Sequence, residues 1–119
     1  MKSLGYAAAF FVITLVFSAC NSYYLTAFFT RLEERLAGLD SENAAEALTE
    51  AEKTWEAIEP YLALTVRKSK LQAVPRALGE AKIYAGAGEE AAFAAAIAEA
   101  REELRSLAKE ESLRWGNVL

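Results

Sequence analysis

The sequence predicts an all-α protein, with an N-terminal transmembrane helix followed by a small antiparallel up-down bundle of about four helices. Three observations lead there. The chain is 54% hydrophobic, and alanine, glutamate, lysine, arginine and leucine dominate it, a composition that favours helices over strands. No residue from Leu4 to Phe29 is charged. Beyond that run, apolar residues recur every three or four positions, the period of a helix with one buried face.

The length of 119 residues sets the domain count. Residues 1–24 form the anchor or signal segment, and residues 25–119 suffice for one small helical domain with a modest core.

The uncharged run exceeds the roughly 20 residues a helix needs to cross a hydrocarbon layer of about 30 Å. It contains the only cysteine, in "LVFSACNSYYL". Lys2, the apolar core and Ser18–Ala19 before Cys20 meet a loose form of the bacterial lipoprotein pattern, in which the chain is cut and lipidated at the cysteine. A lipoprotein then normally continues into a polar tether, whereas here "NSYYLTAFF" returns at once to apolar and aromatic residues. The sequence favours the uncleaved reading: Leu4 to about Ser22 spans the membrane, Tyr23 and Tyr24 lie at the water interface, and the helix runs on. Lipidation at Cys20 is the alternative. Lys2 ahead of the span gives little contrast with Arg31 and Arg35 beyond it, but a short N-terminus before a first apolar segment reads as a signal-anchor. The expected location is a bacterial cell membrane, single-pass, with the bundle on the extracytoplasmic side.

Leu25, Phe28, Phe29, Leu32, Leu36 and Leu39 form the apolar stripe of the first bundle helix, which ends at "GLDSEN". Asp40 and Ser41 are the N-cap candidates for a second helix carrying Leu48, Ala51, Trp55, Ile58 and Leu62. Pro60 either begins a new turn there or kinks the helix. A third helix starts near Ser69, with Leu71, Val74, Leu78, Ala81 and Ala85 on one face and a bend expected at Pro75. The glycines of "AGAG" (85–88) end it. A fourth helix from about Glu89 carries Phe93, Ile97, Ala100, Leu104 and Leu107, and "SLRWGNVL" closes the chain as a short tail. The predicted core is Leu32, Leu36, Leu48, Trp55, Ile58, Leu71, Leu78, Phe93, Ile97 and Leu104.

Taken together, the "MKS" start, the single span, the Asp-containing turn, Trp55, the segment "LTVRKSKLQAVPRALGEAKIYAGAG" and the terminal "LRWGNVL" resemble a family of small single-span helical bacterial membrane proteins, domain of unknown function 4363. The resemblance covers nearly the whole chain. The family often carries a histidine near the position of Lys68, which this chain lacks. The resemblance implies an anchored helical domain and no particular reaction.

Charge and chemistry narrow the function. All 17 acidic residues and 12 of the 13 basic ones follow residue 30, so the bundle carries −5 (12 against 17). That sign disfavours nucleic acid as a partner. With no histidine and one cysteine there is no intrachain disulfide, no zinc site of the usual kind and no histidine-activated nucleophile. The carboxylates one turn apart, Glu46 with Glu50, Glu52 with Glu56 and Glu99 with Glu103, read as solvated surface, with no metal, no cofactor and no enzyme activity expected.

In an up-down bundle the turn between the second and third helices returns to the membrane, because the first two bundle helices are similar in length, about fifteen residues or 22 Å. That turn carries Arg67, Lys68 and Lys70, with Arg76 nearby, as candidates for contact with lipid phosphates. The returning fourth helix brings Trp115, Val118 and Leu119 to the same level. The expected partners are the lipid bilayer and another membrane protein, docked on an apolar groove that short alanine-rich helices leave open. The competing function is an extracytoplasmic bundle that senses a small ligand in a closed cavity beside Trp55.

Overall fold

The computed structural model describes residues 2–64 and 66–118; the side chains of Lys2, Ser18, Ala19 and residues 114–118 lie outside that description. All regular structure among the described residues is helical: α1 (Lys2–Ala37), α2 (Ala44–Leu62), α3 (Lys68–Ala87) and α4 (Glu90–Val118).

Uncharged residues give α1 no reason to stop at the edge of the apolar run. It is one helix of 36 residues, about 54 Å at 1.5 Å per residue. Its first half exposes Leu4, Tyr6, Phe10, Phe11, Val12, Ile13, Val16 and Phe17 on all sides. Burial starts at Ser22 and continues through Leu25, Phe29, Leu32 and Leu36. The helix is long and apolar enough to cross a membrane.

Asp40 does not cap α2. Its Oδ1 instead accepts the backbone N–H groups of Glu42 (3.2 Å) and Asn43 (3.1 Å), while Asn43 Oδ1 accepts the N–H of Asp40 (3.2 Å). The carboxylate is used to build the turn, so α2 begins later than expected, at Ala44, with Asn43 ahead of it and no side-chain cap. Pro60 starts no new helix: α2 passes through it to Leu62, and the proline lies on the exposed face. Pro75 is likewise inside an uninterrupted α3.

At the end of α3 only Gly88 takes the left-handed conformation (φ 72°), with Gly88 N–H to Ala85 O at 3.3 Å and Glu89 N–H to Tyr84 O at 3.0 Å. This paired closure is the glycine stop that "AGAG" predicts. The expected tail is a correction: residues 112–118 continue α4 as helix. The last contact with α1 before this stretch is the Ser22 hydroxyl on the Glu111 carbonyl.

α1 packs closely on α4, α4 on α3, and α3 on α2. The buried alanines Ala77, Ala81, Ala96 and Ala100 let α3 and α4 approach. α1 and α2 are held apart by large side chains, Phe29 meeting Trp55 at 6.3 Å between ring centroids with a 39° tilt. Nine of the ten predicted core residues are buried; Ile58 is only partly so, because it faces the wide α1–α2 seam. The whole measures 69 × 23 × 23 Å, a rod with the bundle at one end.

Candidate functional site

Three contacts define one level across the bundle. The Tyr61 hydroxyl donates to Asn21 Oδ1, joining the end of α2 to α1. Ser22 Oγ donates to the carbonyl of Glu111 at 3.4 Å, joining α1 to α4. Lys70 pairs with Glu110, joining the start of α3 to α4. The α2–α3 turn therefore sits where α1 leaves the bundle toward its apolar half. At and beside this level Tyr23, Tyr24, Leu64 and Leu113 are exposed.

The predicted lipid-facing residues divide here. Arg67 and Lys68 are exposed on the turn. Lys70 is held by Glu110 and is not a bare cation. The Trp115 side chain and Leu119 lie outside the described residues. Cys20 is exposed on α1, two residues before Ser22, where burial begins.

Between α1 and α2 the seam is open along its length. Its lower part is a cavity of about 600 Å³ between Tyr24 and Phe28 on one side and Ala57, Ile58 and Tyr61 on the other. The middle, about 240 Å³, adds Arg31, Leu32 and Arg35 opposite Thr54. The upper part, about 320 Å³, runs between Leu36 on α1, with Leu39 just past its end, and Ala47, Glu50 and Ala51 on α2. Arg31 and Arg35 are exposed and form no ion pair among the described residues. Trp55, by contrast, is 1% exposed and packed solid, its Nε1 without a hydrogen-bond partner.

A second depression, about 320 Å³, opens between the α2–α3 turn and α4, lined by Val66, Arg67, Lys70, Leu107, Glu110 and Glu111 over Phe29.

On the other side of α1, Glu33 Oε1 accepts Arg101 Nε at 2.9 Å and Arg105 Nε at 3.0 Å, with Arg105 Nη2 at 2.8 Å. Glu33 lies beyond the apolar half of α1 and its side chain is 12% exposed. Burial pushes its carboxyl up, but the two arginine hydrogen bonds and then their charges outweigh it, leaving it below the usual carboxylate value.

Sequence reasoning missed the seam's own groups. Tyr24 is expected at the water interface and Arg31 and Arg35 enter only the orientation argument, yet aromatic Tyr24 and Phe28 one turn apart, followed by Arg31 and Arg35 one turn apart, are the available signal. Among the described residues no three His, Cys, Asp or Glu side chains come together in a way that could hold a metal.

Comparisons with family models, curated proteins and solved structures return no match.

Proposed function

We propose that this protein is a single-pass membrane-anchored docking module whose α1–α2 seam receives the juxtamembrane helix of a second membrane protein. The observation that carries the reading is the open seam lined by Tyr24, Phe28, Ile58 and Tyr61. The groove begins at Asn21, where α1 leaves its apolar half, so a helix rising from the same bilayer beside α1 would enter it directly. Arg31 and Arg35, without carboxylate partners, favour an occupant with an apolar stripe and acidic residues one turn apart. A ligand-sensing cavity beside Trp55 is disfavoured because Trp55 is closed in against Phe29.

The uncleaved anchor is supported by the unbroken α1 and by Asn21 and Ser22, whose contacts with α2 and α4 follow directly on Cys20. We assign the bundle to the extracytoplasmic side of a bacterial cell membrane, and the chain to the domain-of-unknown-function 4363 family it resembles, acting by binding and not by turnover. Arg67 and Lys68, with Lys70 and Trp115, would meet the headgroup layer below the α2–α3 turn.

Photo-crosslinking tests this. A photoreactive residue at Ala57, exposed in the groove, in the full chain in native membranes should give one discrete adduct whose linked peptide is an acidic amphipathic helix next to a span. Phe28→Glu should abolish it, and a probe at Glu102, exposed on α4, should give none. An adduct of twice the chain mass, or equal labelling from both positions, overturns the reading.

A further inference from the structure

The foot of the α1–α2 seam is tied. α1 packs closely on α4 and α2 on α3, but α1 and α2 face each other without close backbone packing. Among the described residues two aromatic or polar contacts cross between them. One is Phe29 on Trp55 within the core; the other, at the level where α1 leaves the bundle, is the Tyr61 hydroxyl donating to Asn21 Oδ1. Both partners of the second contact line the lower cavity, together with Tyr24, Phe28 and Ile58. Tyr61 is 40% exposed, so the tie runs near the outer surface of the groove and not along its floor.

A helix seated between two others needs its axis roughly 8–10 Å from each. One that rises from the bilayer beside α1 has to pass between Asn21 and Tyr61, and it cannot do so while their side chains touch. The tie is also weak enough to yield. A neutral hydrogen bond with partly exposed partners shifts an equilibrium by only about fivefold, less than the burial of one large apolar side chain contributes. Tyr24 is 63% exposed, and Phe28 and Ile58 are only partly buried. An occupant that covers these three gains more than the broken bond costs. Pro60, directly before Tyr61 inside α2, has no N–H to give to the Glu56 carbonyl, so the turn that carries the hydroxyl is joined to the rest of α2 by one backbone bond fewer.

We propose that the Tyr61–Asn21 hydrogen bond is a strap across the foot of the groove, closed in the free protein and displaced when the partner's juxtamembrane helix seats. This rests on the docking reading of the seam, and it adds that entry is gated by one bond.

The test uses the full chain with Tyr61→Phe, which keeps the ring and removes only the hydroxyl, and with Asn21→Ala, which removes the acceptor. Spin labels at Tyr23→Cys and Glu56→Cys, exposed positions on α1 and α2, in a Cys20→Ala background in lipid nanodiscs report the width of the foot by double electron–electron resonance. The expected result is one narrow distance distribution with the strap intact and a broader one reaching longer distances in either variant, with the helical circular dichroism unchanged. In native membranes, with the chain expressed below saturation of the adduct, crosslinking from the photoreactive residue at Ala57 should rise about fivefold in each variant and no further in the double variant, because both changes remove the same bond. An adduct that falls or stays level in Tyr61→Phe overturns the strap and leaves the docking reading in place, since the hydroxyl then belongs to the binding surface. Distances unchanged by Tyr61→Phe, or gains that add in the double variant, overturn the strap as well. A foot that widens in both variants while Ala57 gives no adduct in any of them overturns the docking reading alone.

Discussion

Glu33 on α1 accepts the Arg101 Nε of α4 at 2.9 Å, and the same oxygen also accepts Arg105 one turn further along. Two arginines on one largely buried oxygen lock the register of α1 against α4. Glu33→Gln should destabilise the bundle by on the order of 1–2 kcal/mol, more than an exposed pair would give, because it leaves two cations facing a neutral group. Chemical denaturation in mild detergent, followed by circular dichroism, measures it.

The same carboxylate gives an acid limb. Its folded pKa is lowered, so its stabilising contribution is complete above the ordinary carboxylate range, about 4.3, and is lost as pH falls through the lower folded value. A denaturation series from pH 7 down to pH 3 should show the loss in the wild-type chain. Glu33→Gln should flatten that part of the curve; an unchanged slope would show that other carboxylates account for it.

Core and groove should respond differently to truncation. Trp55→Ala removes a fully buried ring packed on Phe29 and should cost about 3–5 kcal/mol. Tyr24→Ala, at a 63% exposed groove position, should stay within about 0.5 kcal/mol while weakening partner crosslinking. Equal costs would mean that the seam closes in solution.

The glycines of the α3–α4 turn make a sharper pair. Gly88 has φ 72° and Gly86 is helical, and neither would meet an atom within 4 Å if given a Cβ. Gly88→Ala should cost about 1 kcal/mol from backbone strain alone, and Gly86→Ala should stabilise by roughly 0.5–1 kcal/mol. Thermal melts of both variants decide it.

Sidedness is open to a direct measurement. Leu64 is 81% exposed at the tip of the α2–α3 turn. In a Cys20→Ala background, Leu64→Cys should react with a membrane-impermeant maleimide added to intact cells. Labelling only after lysis would put the bundle in the cytoplasm.

Much of the fold was legible because it depends on local spacing. Leu48, Trp55, Leu71, Leu78, Phe93, Ile97 and Leu104 lie where the three-four period puts them, and Gly88 stops α3 by its own backbone freedom. What escaped depends on partners distant in sequence. Ile58 shares the period of Leu48 and Trp55 but faces a seam whose width is set by Phe28 and Tyr24 on another helix. Asp40 has the chemistry of a cap, and only the geometry of residues 40–43 shows that its Oδ1 is already engaged in the turn. "SLRWGNVL" lacks an apolar stripe, yet its backbone continues α4 as helix through Val118. Lys70 read as a free cation because Glu110 is brought to it only by the return of α4.

Because α1 is a single helix from the apolar half into the core, the bundle has a fixed compass bearing relative to the span. One residue inserted between Phe17 and Asn21 would swing the whole head by about 100° and raise it by about 1.5 Å, carrying the groove mouth away from any neighbour whose own span stayed still. Which neighbour can be met is therefore written in the count of residues below the bundle as much as in the groove itself.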